Sequence, residues 1–220
     1  MKVVVLGAHP DDPESGCGGL AANCVRAGHE VVFTYATAYR EGRQFFDRPE
    51  REVRTEEARE ACRAIGAMPV VWDYAHGGVD VDQDSTARVI AYFEEERPDI
   101  VLTHWPIDTH YDHRCIGTLA LSAFLETGVD FEFYYFEVMT GLQSIAFKPT
   151  HYVDITGVAE IKRRALLCHR SQDPERVWQD HELMHRFRGR ECGVERAEAF
   201  VRVDRSSTSS QELPGRTRSS

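Results

Sequence analysis

The apolar run Val3-Val4-Val5-Leu6-Gly7-Ala8 stops at His9-Pro10-Asp11-Asp12. A short run without a charge, rich in β-branched residues, reads as a strand buried on both faces, the kind found in parallel sheets under helices. It delivers an imidazole and two carboxylates to its C-terminal tip. About a hundred residues later, Ile100-Val101-Leu102-Thr103 is a second such strand. It opens into His104-Trp105-Pro106-Ile107-Asp108-Thr109-His110-Tyr111-Asp112-His113. Both tips carry more His and Asp than a turn needs. Nitrogen and oxygen donors of this kind suit zinc and its neighbours. Taken alone, His-Pro-Asp-Asp reads as a turn leading into a helix cap; the second loop argues for a metal.

Strand and helix signals alternate along the chain. Residues 2–8 read as a strand and 17–27 as a helix stopped by Gly28. A strand is expected over 30–36, a helix over 50–65 ended by Gly66, and a short strand over 69–73. Ser85 is the expected cap of a helix reaching Arg97, where Pro98 blocks continuation. A strand over 99–104, a helix over 114–127 and an aromatic strand over 131–136 follow. The last third is less regular: a strand at 151–155, Thr156 as a cap, helices over 157–169 and 174–188, and a strand at 200–203. This order predicts an α/β fold: a Rossmann-like three-layer sandwich with a mostly parallel sheet, core order 3-2-1-4-5, and C-terminal helical and β additions. In that order the first and fourth strands are neighbours at the switch point, where ligands bind beyond the strand C-termini. Residues 1–205 read as a single domain. Residues 206–220, rich in Ser, Thr, Pro and Gly, read as a disordered tail.

Composition narrows the partners. The 220 residues carry a net charge of -10, and no basic patch with interleaved aromatics occurs, so nucleic acid is not expected. No apolar stretch approaches the ~20 residues of a membrane helix. The six cysteines, Cys17, Cys24, Cys62, Cys115, Cys168 and Cys192, form no C-x-x-C pair, and read as reduced thiols of a cytoplasmic protein. Homo-oligomer formation is left open.

A catalytic zinc keeps three protein ligands and an open position. His9 and Asp12 can supply two, and His113 or His110 the third. Asp11 then stands beside the metal as a general base, and the leftover histidine can stabilise an oxyanion. Gly16-Cys17-Gly18-Gly19 lacks the G-x-G-x-x-G spacing, and Asp11, Asp12 and Glu14 would repel a pyrophosphate there. These glycines are expected to permit close helix–sheet packing.

These segments also resemble a known family. Ala8-His9-Pro10-Asp11-Asp12-Pro13-Glu14 followed by Gly18-Gly19 is similar to the A-H-P-D-D-x-E signature of the PIG-L/LmbE-like zinc deacetylases. Residues 103–114, with H-x-D-H-R at their core, resemble the family's second motif. Arg54-x-x-Glu57-x-x-x-Ala61 and the stretch from Lys162 to His169-Arg170-Ser171-Gln172 resemble two helical ones. The resemblance implies an N-deacetylase acting on N-acetylglucosamine-containing small molecules, with one zinc per chain on His9, Asp12 and His113. It implies Asp11 as base, His110 as the histidine that stabilises the oxyanion or protonates the amine, Asp112 as its orienting partner, and Arg54 on the sugar. Specificity is expected around Tyr39-Arg40-Glu41-Gly42.

Two rivals remain. His181-Glu182-Leu183-Met184-His185 spells the H-E-x-x-H of zinc peptidases. It lacks a G-x-x-H continuation, so a surface or interface helix is expected there. His29, His76 and His151, without motif context, are expected to be ordinary loop or surface residues. The second rival is a non-catalytic sugar- or metal-binding module on the same fold; a base at Asp11 argues against it.

Overall fold

The computed structural model describes residues 1–139 and 142–205, so the tail expected at 206–220 lies outside the described residues. Strands β1 (Lys2–Gly7), β2 (Glu30–Tyr39), β5 (Met68–Ala75), β6 (Ile100–His104) and β7 (Glu132–Phe136) pair in parallel in the order β5-β2-β1-β6-β7. This is the expected 3-2-1-4-5 core. Strands β9 (Ala197–Val203) and β8 (His151–Asp154) extend it antiparallel beyond β7. A short hairpin, β3 (Gln44–Phe45) with β4 (Arg48–Pro49), was not expected.

The first strand shows why helices cover both faces. Val4 and Leu6 join Val89, Phe93, Ile116 and Leu119 of α3 (Gln83–Glu96) and α4 (Tyr111–Glu126). Val3 and Val5 join Cys17, Ala21, Ala58, Ala61 and Ala165 of α1 (Asp12–Arg26), α2 (Glu50–Ile65) and α5 (Ala159–Leu166). The period-two alternation of a strand thus sends successive apolar side chains into two separate cores. Helix α6 (Pro174–Cys192) runs nineteen residues, longer than expected. No helix among the described residues is long and apolar enough to cross a membrane.

Two boundaries are corrected. The cap of α3 is Asp82, whose side chain accepts from the Ser85 N–H at 2.8 Å; Ser85 lies inside the helix. An aspartate in extended backbone one residue before the helix satisfies a free N–H directly. Helix α1 begins at Asp12, five residues before the expected start. The Gly-rich stretch therefore lies within its first turns. A Cβ at Gly16 would collide with the Phe136 ring, and one at Gly19 with Ile155. Both partners are fully buried, so the glycines let α1 close onto the sheet as expected. Gly16→Ala should lower stability by about 1–3 kcal/mol through overpacking. A urea midpoint unchanged from wild type would contradict this close approach.

Candidate metal centre

Strand β1 ends at Gly7 and α1 begins at Asp12, so residues 8–11 turn sharply. Asp11 takes φ of 114°, a left-handed region that L-residues seldom occupy and that costs of order 1–3 kcal/mol. Buried contacts hold it there. The Asp12 N–H donates to His9 O at 3.2 Å. The Arg54 Nη2 donates to Pro10 O at 2.5 Å and lies 3.5 Å from Asp11 Oδ1. Arg54, expected on the sugar, is only 5% exposed, and its contacts are to the turn and to Asp11.

The adjacent tip of β6 brings α4 beside this turn. His104 accepts from the Ala8 N–H at 2.9 Å, tying the two strand ends together, and its ring stacks on His113 with centroids 3.9 Å apart. Burial, helped by the neighbouring His113 charge, lowers His104 to about 4 and keeps it neutral. Three donor atoms then converge. His9 Nδ1 lies 3.1 Å from Asp12 Oδ2 and 3.2 Å from His113 Nε2, and His113 Nε2 lies 3.2 Å from Asp12 Oδ2. Each imidazole has its outer nitrogen on a carboxylate: His9 Nε2 on Asp112 at 2.9 Å, His113 Nδ1 on Asp108 at 2.9 Å. A carboxylate accepts only, so each outer nitrogen carries a proton, which leaves each inner one able to offer its lone pair to a metal. Two inner nitrogens and a carboxylate oxygen facing one another within 3.2 Å call for a positive charge among them. Without a metal a proton supplies it: although burial opposes its charge, His113 is pushed up to about 10 by Asp12 and Asp108, and a divalent metal would take that proton's place. The donor set therefore fits a divalent metal.

Asp11 stands outside this triad, with a fifth of its side chain exposed. Burial pushes its carboxyl up to about 6, against the opposing pull of Arg54. His110 packs edge-on to His9 at 4.6 Å, and its buried Nδ1 has no hydrogen-bond partner. Burial and the His9 and His113 charges lower it to about 4. The structure thus brings His9, Asp11, Asp12, His110, Asp112 and His113 into one site.

One role changes. Asp112, expected to orient His110, contacts His9, accepts from the Gly77 N–H at 3.0 Å and lies 3.5 Å from His76 Nδ1. The backbone N–H of His110 instead donates to Asp108, at 2.7 Å. The sequence reading left Asp108 without a role. Its signal was an Asx turn three residues before α4, bonding the N–H two residues on. His76, expected to be an ordinary loop residue, has its ring 4.6 Å from His9 and 5.1 Å from His110. No local motif marks it. Register shifts between β2 and β5 and a bond from the His76 N–H to Tyr39 O at 2.8 Å carry it there.

The H-E-x-x-H segment is not on the surface. His181 and His185 lie on the inner side of α6, fully buried. Among the described residues, the groups able to hold a metal include neither. The reason is local: Lys162 Nζ sits 2.8 Å from His185 Nε2, so a cation already occupies that lone pair. The same ammonium donates to Ser15 O at 2.5 Å and to Glu198 at 2.6 Å, while Glu198 also accepts from Gly19 and Leu20 N–H. Glu182 faces away and pairs with Arg186 and Arg196. The segment is a buried polar anchor behind α1.

Comparison with known proteins agrees with this geometry. The PIG-L family model, described as GlcNAc-PI de-N-acetylase, matches residues 4–124. The chain belongs to the PIG-L family. It is 30% identical over 194 residues to a diacetylchitobiose deacetylase of Thermococcus kodakarensis, covering 81% of this chain and 72% of that protein. Among solved structures, the N,N'-diacetylchitobiose deacetylase of Pyrococcus horikoshii superposes with a TM-score of 0.80 at 23% identity, covering 92% of this chain and 83% of that one. GalB of Pseudomonas putida KT2440, a 4-carboxy-2-hydroxymuconate hydratase, gives 0.79 at 22%, covering 96% and 99%. The shared fold therefore spans more than one reaction, and the chemistry has to be read from the site.

Asp108→Asn and Asp112→Asn should each weaken zinc binding about 10–100-fold, since an amide no longer fixes the histidine tautomer. Competition with a chromophoric chelator measures this; wild-type affinity in both variants would reject the arrangement. Lys162→Met should destabilise by about 3–5 kcal/mol by leaving Glu198 buried without its partner. The double change His181→Ala/His185→Ala should leave metal content close to the wild-type level, because neither histidine lies in the metal site. Metal lost in that double variant but kept with His9→Ala would restore the peptidase reading, in which the two histidines are the ligands and Glu182 the base.

Proposed function

We propose that this protein removes the N-acetyl group from an N-acetylglucosamine-type small molecule, using one zinc ion per chain. The observation that carries the reading is the pair of inner histidine nitrogens, His9 Nδ1 and His113 Nε2, converging on Asp12 Oδ2. A metal held by these three residues would polarise the acetamide carbonyl and acidify a water.

The other residues supply positioning and proton transfer. Asp11 is the base: it lies next to a ligand, keeps an exposed edge, and has a carboxyl raised to about 6. A carboxylate tuned in this direction takes the water's proton and returns it to the departing amine. Arg54 fixes the turn that holds this carboxylate. His110, kept neutral, donates an N–H to the negative charge that develops on the acetamide oxygen. Asp112 and Asp108 keep His9 and His113 in the ligating tautomer.

His9→Ala, Asp12→Ala and His113→Ala should each remove the metal. Asp11→Asn should keep it and lower kcat about 10²–10⁴-fold, because an amide accepts no proton. A panel of N-acetylglucosamine conjugates, assayed for free amine and acetate, tests the activity. Amine release from at least one member is expected. No release from any member, with zinc bound, would leave the binding-module reading; near-normal kcat in Asp11→Asn would require another base.

A further inference from the structure

The segment after β2 carries five arginines in fifteen residues, Arg40, Arg43, Arg48, Arg51 and Arg54, on a chain of net charge -10. Four of them are occupied. Arg43 lies over the Phe45 ring and Arg51 over the Tyr39 ring. Arg48 pairs with Glu52 and Glu56, and Arg54 with the Pro10–Asp11 turn. Arg40 differs. Its guanidinium is exposed and forms no salt bridge to a carboxylate among the described residues. It donates through Nη2 to His76 Nε2 at 2.9 Å. His76 in turn packs 4.6 Å from the His9 ring, so Arg40 stands one imidazole away from a ligand of the metal centre. The backbone there is pinned. The buried Glu50 accepts from the Arg40 N–H at 2.6 Å, and its own N–H donates to Arg43 O at 2.9 Å. A cavity of about 220 Å³ opens beside it, its charged lining made of three arginines, Arg40, Arg43 and Arg51, and two glutamates, Glu41 and Glu50, large enough for a small substituent.

We propose that Arg40 binds an oxyanion, a carboxylate or a phosphate, on the part of the substrate that is kept after deacetylation. This rests on the deacetylase reading and gives the aglycone a charge. A guanidinium with a single imidazole acceptor keeps several N–H donors for a planar or tetrahedral oxyanion. His76 fixes the approach, because its Nε2 accepts from Arg40 while its ring packs on His9, which holds the guanidinium one imidazole from the metal centre. The carboxylates around the metal, Asp11, Asp12, Asp108 and Asp112, would repel such a group, so a cation at the mouth is needed to admit it. Of the two glutamates on the cavity, Glu50 is already committed to the backbone of Arg40, and Glu41 is exposed to solvent, so the three arginines leave the lining net positive.

Calorimetry on the zinc-loaded full chain tests this without depending on turnover. Three N-acetylglucosamine glycosides are compared: one ending in a carboxylate, its methyl ester, and one ending in a phosphate. At least one anionic glycoside should bind about tenfold tighter than the ester, as one charge-assisted contact supplies. Arg40→Gln should reduce that advantage to less than about threefold, and Arg40→Lys should restore part of it. Whichever anion gains more identifies the group. Equal binding of acids and ester by the wild type would overturn the proposal, as would an advantage that persists in Arg40→Gln. If Arg40→Gln weakens the ester as much as the acids, or loses zinc, Arg40 acts through His76 on the metal centre and binds no anion. Failure of the deacetylase reading appears separately, as absence of amine from glycosides that bind.

Discussion

Metal-ligating atoms do not gather in a buried site without a positive charge among them, and the site is organised around three that do. His9 Nδ1, Asp12 Oδ2 and His113 Nε2 face one another at 3.1–3.2 Å. Two further carboxylates, Asp112 and Asp108, fix the outer protons so that the inner lone pairs cannot turn away. Such an arrangement costs free energy unless a positive charge, a proton on His113 or a metal in its place, sits among the donors. The tight turn at Pro10–Asp11, the Arg54 tether, and the His104 bond to Ala8 all bring ligands from two loops into register. Placing them at the ends of adjacent parallel strands makes this economical. The backbone of each strand is rigid up to the last residue, and the first turn of the following helix carries the next ligand.

A second polar cluster supports the first from behind. Lys162, fully buried, joins the first turn of α1 to Glu198 on β9 and to His185 on α6. Glu198 also accepts from the backbone of α1. Buried charge of this kind is tolerated because every partner is close. It ties the C-terminal elements to the helix that carries Asp12. Nearby, Glu14 accepts from Tyr35 at 2.6 Å and lies 3.2 Å from the buried His169, while Glu57 accepts both bonds offered by Ser171. The helical motifs of the sequence are thus packing contacts that keep α1, α2 and the chain around His169 in one relation.

Much of the architecture was legible in the chain. The apolar runs at 3–8 and 100–103, each ending in His and Asp, set the parallel sheet and its switch point, because short uncharged runs rich in β-branched residues favour strands buried on both faces. The same runs identified His9, Asp11, Asp12, His110 and His113, since ligands supplied by two adjacent loops follow from topology. The glycines of α1 were legible as a packing device. Element ends were less so: Asp82 displaced Ser85 as a cap because the choice between two neighbouring polar residues depends on a single backbone angle.

What the sequence alone determined was the order of strands, the two ligand loops, and the residue types gathered at them. These follow from local composition and period. What the tertiary structure decided was which partner each group meets. Asp112 turned to His9 instead of His110, His76 entered the site from β5, and the H-E-x-x-H pair faced inward onto Lys162. These are contacts between residues far apart in the chain. They depend on strand register, helix rotation and rotamer, which no local pattern encodes.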